Sequence, residues 1–259
     1  MKRLIALLLC VLMLGMCSCA NIVRNRIGTE YLHSAVCGEA LYIKSHFSYD
    51  YRIDLEGHTF TRLSSDFEGE DLTWSTDEVF EYEFFAGEYF LTAPQGYESV
   101  AESIEERFGG EDLLLYAYGQ LYGGVLVGFV QIYENDGNGY AVETLSHSVL
   151  FRYGYETDEF IVRERFDGAA VVAVHGDTVV YWKDKAYYRY DLATQAEEYL
   201  LEDAAYDAGL SQLSIGTVLS NSEYCVIHLR RAEGNQNTDF MYLLNFSTKE
   251  FFTLNERKE

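Results

Sequence analysis

Four segments of this chain align without gaps, and together they confine it to a β architecture. They are Tyr51-Arg52-Ile53-Asp54-Leu55, Phe151-Arg152-Tyr153-Gly154-Tyr155, Tyr188-Arg189-Tyr190-Asp191-Leu192 and Tyr242-Leu243-Leu244-Asn245-Phe246. Positions one, three and five are apolar or aromatic, with polar residues or glycine between them except at Leu243. Successive side chains of a strand point to opposite faces, so the three apolar positions share one face. Gly57, Thr157, Thr194 or Thr248 follows, and three segments then place Phe three residues later, at Phe60, Phe160 and Phe251. The pattern reads as strand, turn, strand.

The segments start 100, 37 and 54 residues apart. Residues 169–201 and 214–254 each read as four strands with tight turns, and 112–166 as a longer unit of the same kind. Pro94 is the one proline, so turns must use Gly, Asn and Asp. Gly176-Asp177, Asn135-Asp136-Gly137-Asn138-Gly139 and Gly234-Asn235 each separate two apolar runs as hairpin turns. After Pro94 and Gly96, the spacing of Val100, Ile104 and Phe108 predicts one short helix near residues 97–108, with Gly109-Gly110 as its stop. The expected fold is mainly β, built of antiparallel four-stranded meanders. Short-strand repeats of this length resemble β-propeller blades, best over residues 112–256, without a Trp-Asp or Kelch signature. The alternative is a β-sandwich, which makes similar hairpins without radial closure.

The N-terminus carries an address. Met1-Lys2-Arg3 precedes an apolar run from Leu4 to Met16, then Cys17-Ser18-Cys19. The run is too short for a bilayer core, which needs about 20 residues. A basic start, a short apolar stretch and a small residue before the cut describe a secretory signal. A cysteine at the cut resembles a bacterial lipoprotein signal, which implies that the cysteine is lipidated and becomes the first mature residue. Ser18 favours Cys19 as that residue over Cys17, which follows the bulky Met16; an ordinary cleaved signal is the other reading. The expected organisation is a signal at 1–18, a tether at 19–36 and a single β domain at 37–259.

Without the signal's two basic residues, 17 basic residues face 42 acidic ones, a charge of −25. Such a chain does not track nucleic acid, and an anionic lipid surface repels it, so attachment has to be covalent. Lipoprotein signals of this kind imply more than one acyl chain, which stable anchoring requires. In the folded part, only Cys37 and Cys225 remain; sequence does not decide whether they pair, and Cys225 reads as a buried small hydrophobe within Tyr224-Cys225-Val226-Ile227.

Motifs for chemistry are weak. Against a calcium-loop template, Asp136, Gly137 and Glu143 fall in place, but Ile132 occupies the first ligand position. The six histidines lack metalloprotease spacing, and there is no Gly-x-Ser-x-Gly. His175 is expected at a hairpin tip, and His228 in a strand, packed or half-exposed rather than catalytic. Acidic pairs such as Glu105-Glu106 and Glu197-Glu198 are abundant by chance, and the aromatics alternate as core residues. No catalytic, metal or cofactor residue is expected. The expectation is an extracytoplasmic lipoprotein anchored to the cell membrane, non-enzymatic, binding a protein or glycan partner at the envelope through strand-connecting loops. The alternatives are a lipid-anchored glycan hydrolase and a glycan-binding module.

Overall fold

The computed structural model describes residues 27–28, 31–45, 50–64, 67, 69, 71–74, 79–85, 88–110, 113–134, 144–203, 215–220, 223–233 and 236–257. The chain is mainly β, with one α-helix among the described residues. Four antiparallel meander units follow one another. Unit 1 is β2 (Tyr31–Cys37), β3 (Ala40–Ser45), β4 (Tyr51–Asp54) and β5 (Thr59–Arg62). Unit 2 is β8 (Leu113–Tyr122), β9 (Val125–Glu134), β10 (Thr144–Gly154) and β11 (Glu159–Asp167), with β6 (Val79–Phe85) and β7 (Glu88–Thr92) added beside β8. Unit 3 is β12 (Ala170–His175), β13 (Thr178–Lys183), β14 (Ala186–Asp191) and β15 (Ala196–Glu202). Unit 4 is β16 (Ile215–Ser220), β17 (Tyr224–Glu233), β18 (Gln236–Asn245) and β19 (Phe251–Glu256).

All four sequence repeats fall at the same place, the hairpin from third to fourth strand. Their registers coincide: Ile53 faces Phe60, Tyr153 faces Phe160, Tyr190 faces Glu197 and Leu244 faces Phe251. The repeat is therefore a structural one, and units 3 and 4 match their expected limits. Unit 1 was not legible as a unit. Its first strand lies within the stretch expected as a tether, as does β1 (Ile27–Gly28), which pairs in parallel with β16. The break in the apolar pattern at His33-Ser34 hides β2, yet it forms because β3 supplies an antiparallel partner.

The sheets pack face to face in succession, in a propeller-like arc. Tyr116, Phe129 and Leu150 of unit 2 meet Val171, Val179 and Tyr181 of unit 3. Val172, Val180 and Tyr187 of unit 3 meet Cys225, Ile227 and Tyr242 of unit 4. Leu41, Ile43 and Ile53 of unit 1 meet Val226, Met241 and Leu243 of unit 4. Each fully buried side chain of this size contributes about 1.5–3 kcal/mol. The first strands of units 3, 4 and 1 lie together, β12 against β16 and β16 against β2. Units 4 and 1 also join edge to edge, β19 pairing in parallel with β5 in one nine-stranded sheet.

The other face of unit 2 is covered by the helix, α1 (Ser99–Phe108). Val100 and Ile104 are buried against Phe80, Leu115 and Phe151, as their spacing predicts. Gly109 ends α1 by donating its amide to the Glu105 carbonyl at 2.7 Å. Its backbone is extended; glycine is needed because a Cβ there would lie 2.4 Å from that carbonyl oxygen.

Candidate functional site

The repeated hairpin is locked by a side chain. Asp54 Oδ1 accepts from the amides of Glu56 (3.2 Å) and Gly57 (2.9 Å). Asp191 Oδ1 accepts from Ala193 (3.0 Å) and Thr194 (2.8 Å), and Asn245 Oδ1 from Ser247 (2.9 Å) and Thr248 (3.0 Å). Such Asx turns replace the ladder bonds that the reversing chain gives up. In unit 2 Gly154 has no side chain, and Thr157 instead donates its hydroxyl to the Gly154 carbonyl at 3.2 Å. The fourth residue on is left-handed every time: His58 (φ 52), Asp158 (φ 50), Gln195 (φ 58) and Lys249 (φ 62). The recurrent Gly or Thr read in the sequence is the residue just before this reversal.

In units 1, 3 and 4 a second bond ties this turn to the first hairpin of its unit. The amides of Leu55, Leu192 and Phe246 donate to the carbonyls of Glu39, Asp177 and Glu223, at 2.9, 2.8 and 2.9 Å. In unit 2 the first hairpin turns at Gly123-Gly124, and the Gly124 carbonyl accepts from the Tyr97 hydroxyl at 2.8 Å. Eight turns, two per unit, therefore sit at one end of their sheets.

Contacts between units merge these ends into one rim. The His175 ring stacks on Phe246 at 4.5 Å and meets the edge of Tyr122 at 5.6 Å, joining units 2, 3 and 4. Arg189 donates to the Lys249 carbonyl at 2.7 Å. His58 stacks on Phe252 at 3.8 Å, closing unit 1 onto unit 4. The rim is acidic, with Glu39, Glu56, Glu156, Asp158, Asp177 and Glu223 exposed. Tyr155 projects from it, 55% exposed, its ring centroid 5.4 Å from that of Tyr97.

The electrostatics of the rim are those of turn locking. The Gly57 amide leads in holding the Asp54 carboxyl below its ordinary value, and the Thr194 amide does the same for Asp191. At the opposite end of unit 2, the Arg165 hydrogen bond lowers Asp167. Burial lowers His175, which favours the neutral ring in its stack.

Two buried polar groups lie beneath. Between units 1 and 4, Asp239 accepts from Arg62 Nη2 at 2.9 Å and from the Tyr51 hydroxyl at 3.2 Å, and its Oδ1 lies 3.0 Å from His228 Nε2. His228 is 2% exposed. A His–Asp pair this enclosed pins strands together rather than meeting substrate. Between units 3 and 4, Asp203 accepts from the Tyr242 hydroxyl at 2.7 Å and from Trp182 Nε1 at 3.0 Å.

No family model matches this chain, and no curated protein matches it in sequence. Among solved structures it is similar to the tricorn protease, at 11% identity and a TM-score of 0.28, over 85% of this chain and 25% of that one. It is also similar to the extracellular domain of BT4673 from B. thetaiotaomicron, described as a one-component system, at 12% identity and a TM-score of 0.23, over 76% of this chain and 25% of that one. The chain thus spans about a quarter of the length of these two structures.

The residues singled out in the sequence are scattered by the fold. Cys19 lies outside the described residues, as do the turns at 135–139 and 234–235. Cys37 is exposed, Cys225 is buried, and both are free thiols. Burial pushes the Cys225 thiol far up. His175 closes β12 at the Gly176-Asp177 tip, and His228 is packed in β17, as read. The acidic pairs have partners: Tyr82 donates to Glu105, Tyr181 to Glu197, and Arg189 pairs with Glu198. No group of three or more His, Cys, Asp or Glu fit to hold a metal occurs among the described residues. The rim contacts of Tyr122, Phe246 and Lys249 were missed. The aligned repeats were the signal that pointed to them, since equivalent turns must fall at equivalent ends.

Proposed function

We propose that this protein is a lipid-anchored extracytoplasmic lipoprotein whose β domain binds or scaffolds a partner at the cell envelope through the turn rim. One observation carries the binding half: the units bring their turns to a single end, so the strands act as a frame for one surface. Loops on a rigid frame are the usual seat of recognition. The signal-like segment ending in Cys19 carries the other half. A glycan hydrolase would need one carboxyl with a raised pKa beside a second in a cleft; the rim carboxylates Asp54 and Asp191 instead lock turns and are held below their ordinary value.

Changing Cys19 to Ala tests the anchor in cells. Acyl labelling disappears and the protein leaves the membrane fraction. If only Cys17→Ala does this, the anchor is Cys17; if neither does, the protein is not a lipoprotein. Crosslinking on intact cells tests the binder, with Glu56 and Glu156 replaced by photoreactive residues. No adduct from either position counts against it.

A further inference from the structure

The outer strands of units 2 and 3 leave a groove between them. β11 and β15 are each the last strand of their sheet. Phe166 of β11 packs against Tyr181 and Tyr190 of unit 3, with ring centroids 5.2 and 5.4 Å away. Tyr181 stacks on Tyr188 at 5.4 Å, and Tyr188 meets Tyr199 at 5.8 Å with the two planes 81° apart. The row follows from register, since Tyr181, Tyr188 and Tyr199 are cross-strand neighbours on β13, β14 and β15. The rings climb from the buried interface to the surface: Phe166 and Tyr181 are buried, Tyr188 and Tyr190 half-buried, and Tyr199 is 54% exposed.

A carboxylate from each unit edges the groove. Glu197 stands opposite Tyr190 across the β14–β15 ladder, and its Oε2 accepts from the Tyr181 hydroxyl. Glu164 precedes Phe166 by two residues on the same face of β11. Desolvation leads in pushing the Tyr190 hydroxyl upward, and the charges of Glu164 and Glu197 add to it, which places both carboxylates near that ring. The arginines of this region are engaged elsewhere, Arg163 with Asp177, Arg165 with Asp167 and Arg189 with Glu198. Among the described residues, neither Glu164 nor Glu197 pairs with a cation. The groove therefore presents the negative faces of tyrosine rings and two carboxylates without a positive group to balance them. We propose that it binds a small quaternary ammonium ligand, its methyl groups against the tyrosine faces and its charge balanced by Glu197 and Glu164.

Charge complementarity selects a cation, and geometry selects its kind. A flat sugar ring needs a level shelf, but the exposed rings of Tyr188 and Tyr199 stand almost at right angles and form a corner. A rounded trimethylammonium group fits such a corner and reaches both faces within about 6 Å of their centroids. A primary ammonium is strongly hydrated and holds its water. A quaternary nitrogen has no N–H to satisfy, so ring faces replace its water at less cost. The Tyr181 hydroxyl holds Glu197 in place before a ligand arrives, which lowers the ordering cost of binding.

Equilibrium dialysis of labelled choline against the full-length protein in maltoside micelles tests the site. Saturable binding is expected, and choline's uncharged tert-butyl analogue should not compete. Tyr199→Leu and Glu197→Gln should each weaken choline binding by about three- to tenfold. Both positions are exposed on an edge strand, and the amide keeps an acceptor for Tyr181, so both variants should unfold at the parent Tm. Phe90→Leu, at an exposed aromatic of β7 outside the groove, should bind choline as the parent does. Phosphatidylcholine vesicles serve as a second competitor. Competition identifies a lipid headgroup as the source of the ligand, its absence identifies a free solute, and either supports the site. Absence of saturable choline binding overturns the proposal. So does equal competition by the uncharged analogue, or a loss in Phe90→Leu as large as in the two groove variants. A neutral oligosaccharide that binds where choline does not overturns it in favour of a sugar site.

Discussion

At the residue scale, the left-handed positions are the informative ones. His58, Gln195 and Lys249 take a conformation that costs a non-glycine residue about 1–2 kcal/mol. Gln195→Gly and Lys249→Gly should each raise stability by roughly 0.5–1 kcal/mol, read as a higher Tm, because glycine's entropy penalty offsets part of the relief. His58→Gly should bring no such gain, since it deletes the stack on Phe252. The locking carboxylates make a separate prediction. Asp191 has a folded pKa below its ordinary value, so its contribution is full above that value and is lost as pH falls through the lower, folded one. Asn already serves at 245. Asp191→Asn should therefore keep the turn at neutral pH and flatten the acid limb of a stability–pH curve, whereas Asp191→Ala should lower Tm most at neutral pH, the deficit shrinking as the parent carboxyl protonates.

At the element scale, the glycines between 119 and 128 divide into two roles. Gly123 (φ 55) and Gly124 (φ 82) make the β8–β9 turn, where side chains are disfavoured by backbone alone. Gly119 and Gly128 face each other within the ladder. A Cβ on Gly128 would fall 2.3 Å from the Tyr118 carbonyl oxygen and 2.8 Å from the Gly119 Cα. Gly128→Ala should destabilise by about 1–3 kcal/mol in urea unfolding. Gly119→Ala should cost less, its nearest neighbours being Leu126 Cδ1 and the Val127 carbonyl at 3.2 Å. Sequence showed glycines amid strands but not which were turn and which were contact. Local signals were readable where one short window holds them: the stripe of α1, the Gly176-Asp177 hairpin and the repeated alternation of β4, β10, β14 and β18. β2 was not readable, because its His33-Ser34 breaks the apolar pattern and is accepted only through pairing with Lys44 and Ile43 of β3. The rim was half readable: its turns are local, but the meeting of Tyr122, His175 and Phe246 depends on how separate sheets pack.

At the scale of the whole molecule, the seam between units 4 and 1 decides whether the arc holds together. Backbone pairing there is limited to Asn255 with Thr59 and Glu256 with Phe60. Further attachment comes from the apolar cluster around Leu41, Ile43 and Met241, the polar group centred on Asp239, the Arg62–Glu256 ion pair and the His58–Phe252 stack. Asp239 sits in β18 of unit 4, whereas Arg62 and Tyr51 come from unit 1, so one carboxylate fastens both. Removing one member of a buried, hydrogen-bonded charge group costs about 3–5 kcal/mol, because the others stay buried without it. Asp239→Ala should cost that much and should also uncouple unit 1, giving a urea transition that is broader, or split, by comparison with the parent chain. Asp239→Asn keeps an acceptor for Tyr51 and should recover part of the loss. A single sharp transition at unchanged midpoint in Asp239→Ala would show that the seam holds, and that the rim keeps its four-unit continuity, without the buried carboxylate.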